Sequence, residues 1–168
     1  MRYIDFDGVI LDTEPLLFEK WRQLPNHKLR PETEKIKYIQ NSNWEYIVNN
    51  ANIINDSVYY LKNMDPNKSF ILTKIHSLEN EGFAKIKWAR NNKIKQSIIL
   101  VPYMLEKTDM VDAEGNDLID DCLKNLYKWI DNKGKPFFFD LDNDNIDSWG
   151  KPNYKKLTRI IDLSQFKD

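Results

Sequence analysis

Two aspartates near the beginning of the chain, Asp5 and Asp7, have a spacing that suits catalysis or metal binding. Tyr3 and Ile4 predict the end of a short buried strand, and the two carboxylates follow where that strand opens into a loop. Side chains two residues apart on a strand share a face, and open α/β sheets bind ligands at the carboxyl ends of their strands. Like charges held together raise a pKa unless a cation is present. The pair therefore indicates nucleophilic and acid–base catalysis, a divalent metal site, or both.

The residues around this pair carry a family resemblance. The run D-F-D-G-V-I-L-D-T-E at residues 5–14 resembles motif I of the haloacid dehalogenase (HAD) superfamily of phosphotransferases. The alternative is a pair of solvated carboxylates that cap a turn before Gly8, and the length of the match disfavours it. The resemblance implies that Asp5 is the nucleophile that attacks phosphorus. It also implies that Asp7 protonates the leaving group and later activates water, and that Gly8 lies at the phosphate.

The phosphate-binding parts of such a site are expected after two later strands. A phosphoryl-transfer site needs a phosphate cradle besides its nucleophile. Thr73 ends the strand-like run 69–73, where its hydroxyl and the N–H groups from Lys74 onward can bind phosphate oxygens beside a helix N-terminus. The resemblance places motif II at Thr73 and the lysine of motif III at Lys107, with Lys85 as the alternative. The non-catalytic interpretations are a helix N-cap for Thr73 and a solvated surface position for the lysine.

A second acidic pair, Asp120 and Asp121, follows the apolar Leu118-Ile119. Mg²⁺ prefers oxygen ligands and usually takes one or two carboxylates together with water and substrate phosphate. Acidic clusters at the ends of two buried strands are difficult to keep adjacent without a cation. We therefore expect Mg²⁺ as cofactor, with Asp5, the main-chain carbonyl of Asp7 and one of the second pair as ligands. Asp121 is also a candidate N-cap of the helix that follows.

Two later segments narrow the resemblance. The run D-L-I-D-D at 117–121, followed by Asn125, and the run K-I-K-W at 85–88 resemble the 5'(3')-deoxyribonucleotidase group. That resemblance implies a deoxynucleoside monophosphate as substrate. Sugar phosphatases share the opening run but usually carry Lys-Pro after the third strand, whereas Lys107 here is followed by threonine. A sugar-phosphate or other metabolite phosphatase remains an alternative, as does a non-catalytic HAD-fold binding or regulatory protein.

The elements that must position these residues form an alternating pattern. Short apolar runs without polar alternation suit buried parallel strands, and strands that alternate with helices indicate βαβ units. The expected strands are 3–6, 69–73, 96–101, 116–120 and 136–139, with helices at 78–91 and 122–132 between them. The pattern and the resemblance together predict a Rossmann-like, three-layer α/β core with a parallel sheet of about five strands.

The segment 13–68 departs from this alternation and predicts four helices, 15–24, 31–40, 44–54 and 57–64. The resemblance implies a helical cap subdomain over 13–68, inserted into a core domain formed by 1–12 and 69–168. A last helix is expected at about 153–161. Aromatic side chains of the cap are candidates for stacking on a base, although packing within the cap is the commoner use: Phe18, Trp21, Trp44, Tyr46, Tyr59 and Tyr60.

Composition excludes several classes of function. The chain has 26 acidic and 25 basic residues, and this near balance argues against general electrostatic binding of polymeric nucleic acid. A single cysteine, Cys122, rules out an internal disulfide and a cysteine-based zinc site. No apolar segment suits a signal peptide or a membrane span. We expect a cytoplasmic protein with a small phosphomonoester as partner and no membrane partner; the sequence does not indicate an oligomeric state.

Overall fold

A parallel six-stranded sheet forms the centre of the protein, seen in a computed structural model that describes residues 1–166. The described residues contain eight strands in this order: β1 Arg2–Ile4, β2 Leu11–Asp12, β3 Asn52–Ile53, β4 Ser69–Ile75, β5 Ser97–Pro102, β6 Asp117–Asp120, β7 Lys135–Phe139 and β8 Arg159–Ile160. The sheet has the order β5-β4-β1-β6-β7-β8, and every neighbouring pair is parallel. The predicted parallel α/β sheet is therefore confirmed, with one strand more than expected.

The additional strand, β8, lies where the sequence predicts a last helix, and that prediction is wrong. Residues 158–160 pair with β7 instead: the N–H of Phe138 donates to the Thr158 carbonyl, and the N–H of Asp140 donates to the Ile160 carbonyl, each at 2.9 Å. Upstream, the Asn153 side chain accepts from the Leu157 N–H at 3.0 Å. Such local side-chain hydrogen bonds compete with helix formation. Burial of Ile160 at the sheet edge adds to the preference for a strand.

Within residues 1–166 the chain also forms six α-helices: α1 Glu14–Arg22, α2 Glu32–Asn41, α3 Trp44–Asn50, α4 Ser57–Asn63, α5 Phe83–Asn91 and α6 Leu123–Asp131. Local signals explain their starts. Pro15 lies in the first turn of α1, where its missing N–H costs nothing. The Asn43 side chain accepts from the Tyr46 N–H at 3.0 Å and so caps α3. Among residues 1–166, no helix is both long and apolar enough to cross a membrane.

Helices α1 to α4 lie in the segment predicted to form a cap. The helix expected over 44–54 ends at Asn50, because the chain then pairs β3 with β2 in an antiparallel ribbon. This ribbon sets Asp12 opposite Asn52, so the chain just before α1 lies beside the chain just after α3. Leu17 and Trp44 belong to the same buried apolar cluster as Ile4 of β1. The division into a core and a cap at 13–68 stays a prediction.

Candidate active site

Asp5 follows β1, the strand between β4 and β6, and is buried at the carboxyl end of the sheet. Its Oδ1 accepts from the N–H of Phe6 at 2.8 Å, and the same oxygen lies 3.0 Å from Lys107 Nζ. The chain then turns sharply through Gly8, whose φ of 71° suits glycine. The carboxylate predicted to act as nucleophile is thus held in place, with a cation beside it.

Lys107 comes from the loop after β5 and opens a short 3₁₀ turn, Lys107–Asp109. Its side chain is only 2% exposed, and Nζ also lies 2.7 Å from Asp120 Oδ2. Burial lowers the pKa of Lys107, but the charges of Asp120 and Asp5 outweigh burial and hold that pKa above its usual range. Of the two lysines that the sequence offers for motif III, Lys107 is the one in contact with Asp5, and it is charged.

The two acids at the end of β6 have different surroundings. Asp120 is fully buried and accepts from the Cys122 N–H at 2.8 Å, from Asn125 Nδ2 at 3.0 Å and from Lys107. Asp121 instead lines the central cleft and lies against Gly8, where an added Cβ would come 2.1 Å from Asp121 Oδ2. Both oxygens of Asp120 are therefore committed to the fold, whereas the Asp121 carboxylate reaches the space next to motif I.

Asp5, Asp120 and Asp121 form a group whose ligand oxygens all lie within 4.8 Å of one another. Burial, followed by the charges of Asp120 and Asp7, raises the pKa of Asp5 to about 7 against the opposing effect of Lys107. Burial and the charges of Asp120 and Asp5 also raise the pKa of Asp121. Three carboxylates against one ammonium leave an excess of negative charge in a buried place, so an oxygen-binding divalent cation such as Mg²⁺ fits this donor set.

Asp7 is held at both carboxylate oxygens. Thr13 Oγ1 donates to Oδ1 at 2.8 Å, and Lys85 Nζ donates to Oδ2 at 2.5 Å. Lys85 is fully buried on α5, whereas the Asp7 side chain is about one-third exposed to the cleft. The sequence did not reveal these two partners of Asp7. The sequence singled out Lys85 through the K-I-K-W run and as the alternative for the motif III lysine, but neither signal indicated its contact with Asp7.

Thr73 and Lys74, the residues expected at the phosphate, line the same cleft on β4. Thr73 Oγ1 accepts from Lys85 Nζ at 3.2 Å and donates to the Lys74 carbonyl at 3.3 Å. Lys74 Nζ pairs with Glu106 at 2.8 Å. Thr73 does not cap the next helical segment, because Ser77 accepts from the Asn80 N–H there. The phosphate-binding roles of Thr73, Lys74 and Gly8 stay predictions.

A cleft of about 1320 Å³ opens over these residues. Phe18, Trp21 and Trp44 of the predicted cap line it, whereas Tyr46 lines a separate depression. Trp21 and Trp44 are buried, and Trp44 Nε1 donates to the Ile39 carbonyl at 2.9 Å, which indicates packing. Among these three candidates of the predicted cap, Phe18 is therefore the one whose ring is most available to the cleft.

Three further aromatic side chains line this cleft, and the sequence did not indicate that they lie there. His76 and Tyr103 stack nearly parallel, with centroids 5.2 Å apart and planes 11° from one another. Trp149 contributes from the loop after β7, and the ammonium of Lys35 lies 4.2 Å from its ring centroid and 5.0 Å from that of Phe18. The cleft therefore combines an acidic floor with aromatic walls.

No family model and no curated protein matches this chain. Solved structures do match it. One is a haloacid dehalogenase-like hydrolase, SP0104 from Streptococcus pneumoniae, at 12% identity and a TM-score of 0.56, covering 98% of this chain and 95% of the other. A second is the magnesium-bound HAD-hydrolase YfnB from Bacillus subtilis, at 12% identity and a TM-score of 0.57 with the same coverage. A third, described as a dehalogenase, has 9% identity and a TM-score of 0.57, covering 98% and 93%. The likeness shows the fold, and the expected Rossmann-like α/β architecture, which these HAD-like hydrolases share, is confirmed.

Proposed function

We propose that this protein is a Mg²⁺-dependent phosphomonoester hydrolase that forms an aspartyl phosphate on Asp5. The observation that carries the proposal is the position of Lys107, whose buried ammonium contacts both Asp5 and Asp120 beneath the cleft. A cation fixed beside a buried carboxylate opposes the rise in its pKa, which favours the ionised form, and reduces its repulsion of an approaching phosphate. The shared fold of HAD-like hydrolases supports the same conclusion.

In the first half of the reaction, an oxygen of Asp5 attacks phosphorus while the leaving oxygen takes a proton from Asp7. Lys107 is placed to balance the charge at Asp5, and the Thr73 hydroxyl and nearby N–H groups are proposed to bind the phosphate oxygens. Mg²⁺, when bound, would supply positive charge to the carboxylates and the phosphate together. The phosphoryl group ends on Asp5.

In the second half, water attacks the phosphorus of the aspartyl phosphate and Asp7, now ionised, accepts its proton. Thr13 and Lys85 hold Asp7 at the edge of the cleft, where it can exchange protons with groups in that space. The phosphorus–oxygen bond to Asp5 breaks, and inorganic phosphate leaves. The carboxylate of Asp5 and the protonated Asp7 are then restored.

Among the acids after β6, we assign the metal ligand to Asp121 rather than Asp120. The two oxygens of Asp120 already accept three hydrogen bonds, one of them from Lys107. Asp121 lines the cleft and lies against Gly8. The ligand set that we propose is therefore the Asp5 carboxylate, the main-chain carbonyl of Asp7 and the Asp121 carboxylate, with Asp120 serving to orient Lys107.

We further propose that the substrate is a small phosphomonoester and favour a deoxynucleoside monophosphate. The aromatic walls formed by Phe18, Trp149 and the stacked His76 and Tyr103 support a flat, stackable group beyond the phosphate. Stacking of one base on an aromatic side chain is worth about 1–3 kcal/mol. A sugar phosphate lacks such a group. It is the alternative substrate, and a substrate panel distinguishes it from a deoxynucleotide.

The proposal is tested by phosphate release from deoxynucleoside 5'- and 3'-monophosphates, ribonucleotides and hexose phosphates, with Mg²⁺ and with chelator. We expect release that needs Mg²⁺ and is highest for deoxynucleotides. Asp5→Asn should lower it by a factor on the order of 10³ or more. Highest release from hexose phosphates would keep the mechanism and reject the nucleotidase assignment. No release from any substrate, with Mg²⁺ binding intact, would favour a non-catalytic binding protein.

A further inference from the structure

Lys85 occupies an unusual position for a lysine. Its side chain is fully buried on α5, and lysine is among the residue types least often found in that state unless paired. Its ammonium has four oxygens within hydrogen-bond distance: Asp7 Oδ2 at 2.5 Å, Glu81 Oε1 at 2.7 Å, Thr73 Oγ1 at 3.2 Å and the Lys74 carbonyl at 3.3 Å. All four partner residues line the cleft, so the buried ammonium is tied directly to the site.

Glu81 is the second carboxylate that contacts the Lys85 ammonium. It is 2% exposed, precedes Lys85 by four residues and lies in a π-helical turn, Leu78–Gly82. Its second oxygen, Oε2, accepts from the His76 N–H at 2.7 Å, which anchors it to the end of β4. Turns of this kind are frequent at functional sites. Glu81 therefore holds the ammonium at a defined place instead of serving as a surface ion pair.

Two aromatic rings limit the movement of the same ammonium. Nζ lies 5.4 Å from the ring centroid of Phe6 and 5.0 Å from that of Trp44. Cation–π contacts of this kind favour the charged lysine when it is desolvated. With Glu81 on one side and the rings around it, Lys85 presents its remaining N–H groups towards Asp7 and Thr73.

Stability alone does not explain this arrangement. A buried ion pair usually stabilises a fold no more than well-packed apolar residues of similar volume. The network here also ends at Asp7, the one carboxylate of the group that is about one-third exposed to the cleft. Since Thr13 holds the other oxygen, the direction of the Asp7 carboxylate is set by two donors, of which Lys85 is the charged one.

We propose that Lys85, fixed by Glu81, is a positioning residue that holds Asp7 in the orientation from which it protonates the leaving group. This inference rests on the proposed function. When the bond from Asp5 to phosphorus forms and the bond to the leaving oxygen breaks, the proton of Asp7 moves to that oxygen. Asp7 becomes a carboxylate beside the ammonium, and Lys85 keeps its three protons throughout.

The test compares two phosphate esters of similar shape, phenyl phosphate and p-nitrophenyl phosphate, in the presence of Mg²⁺. Phenolate is a basic leaving group that needs a proton, whereas p-nitrophenolate leaves readily without one. Because kcat/KM includes only steps up to the first irreversible one, it reports the transfer to Asp5 and not the later hydrolysis. The ratio of the two kcat/KM values therefore measures general-acid assistance.

The main variant is Lys85→Met combined with Glu81→Gln, which removes both buried charges together, so that Glu81 is not left as a buried unpaired ion, and leaves Asp7 with its hydrogen bond from Thr13. The matched control is Lys87→Met with Glu45→Gln, which removes an exposed pair, 2.6 Å apart, that also involves α5. Glu81→Gln alone is the milder variant, because the single carbonyl oxygen of glutamine can still accept a hydrogen bond from Lys85 while the charge of Glu81 is lost. It tests the same effect in case the double variant does not fold.

We expect the double variant to lose about tenfold or more in kcat/KM with phenyl phosphate and less than about threefold with p-nitrophenyl phosphate. Asp7→Asn should show the same pattern, Glu81→Gln a weaker one, and the control pair none. Equal losses with both esters, or no loss, would overturn the positioning role and leave the hydrolase assignment intact. A wild-type protein that releases no phosphate from these esters or from the deoxynucleotides would overturn the assignment and the inference together.

Discussion

Lys107 is the residue on which the proposed site depends most. It contacts Asp5 and Asp120, which come from different strands, and all three side chains are buried. Its position thirteen residues before Asp120 was foreseen in the sequence, because one lysine follows the third predicted strand. The contact of Lys85 with Asp7 could not be foreseen. Glu81 and Lys85 have the i,i+4 spacing of an ordinary exposed ion pair, and only the three-dimensional packing shows that this pair is buried.

Replacing Lys107 by methionine should destabilise the protein. The change leaves Asp5 and Asp120 buried without their shared cation, and breaking a buried pair from one side costs about 3–5 kcal/mol. Unfolding in urea at neutral pH, without Mg²⁺, measures the decrease in the free energy of unfolding. The combined variant Lys107→Met with Asp120→Asn removes one of the unpaired charges and should recover part of it. A loss below about 1 kcal/mol for Lys107→Met would contradict the assigned ion pairs.

At the scale of elements, the turn after β1 brings two strand ends together. Gly8 has a φ of 71°, and its Cα lies so close to Asp121 that a Cβ would overlap the carboxylate. Glycine after D-F-D indicated a turn in the sequence, but its approach to Asp121 depends on how β1 and β6 are paired. That pairing is set by the register of Ile4 with Ile119, which no local pattern reveals.

Gly8→Ala should therefore strain the backbone and also disturb Asp121. The matched control is Gly115→Ala, where φ is 72° and no heavy atom lies within 4 Å of the added Cβ. Both changes should destabilise by about 1–2 kcal/mol through the left-handed backbone. Only Gly8→Ala should also displace Asp121 and weaken Mg²⁺ binding by about tenfold or more, measured by calorimetric titration. Equal Mg²⁺ affinities in the two variants would show that the contact with Asp121 is unimportant.

Elements were predicted best where they are long or central. The buried strands β1, β4 and β6 consist of apolar runs whose burial on both faces gives a strong signal. The edge strand β8 has two residues, and its pairing with β7 is a tertiary contact that local sequence does not encode. The sequence predicts one helix over 78–91, whereas the structure has a π-helical turn at Leu78–Gly82 before α5, a distinction that local sequence does not indicate.

At the scale of the whole molecule, the acidic group joins parts of the chain that are far apart in sequence. Asp5 follows β1, Asp121 follows β6, and Lys107 enters from the loop after β5. The parallel α/β architecture and the meeting of these residues at one sheet edge follow from the alternation of strands and helices. The aromatic walls of the cleft do not, because His76, Tyr103 and Trp149 lie in loops whose course depends on the complete fold.

Mg²⁺ should stabilise the whole fold, because an ion that binds only the native state shifts the unfolding equilibrium. At a Mg²⁺ concentration one hundred times its Kd, the expected gain is about 2.7 kcal/mol. Thermal unfolding monitored by circular dichroism should show a Tm that rises with Mg²⁺. Asp121→Asn should remove most of the rise, whereas the exposed Asp56→Asn should keep it. A rise that is identical in both variants would place the ion elsewhere.

Chemical trapping of the phosphorylated enzyme tests the central claim most directly. Protein mixed with p-nitrophenyl phosphate and Mg²⁺ is quenched in acid and reduced with borohydride, which converts an aspartyl phosphate into homoserine. Mass spectrometry of the peptides then locates the change. We predict homoserine at position 5, a larger amount of it in Asp7→Asn because hydrolysis of the intermediate is slowed, and none in Asp5→Asn. Turnover without any trapped residue, or homoserine at another aspartate, would contradict Asp5 as the nucleophile.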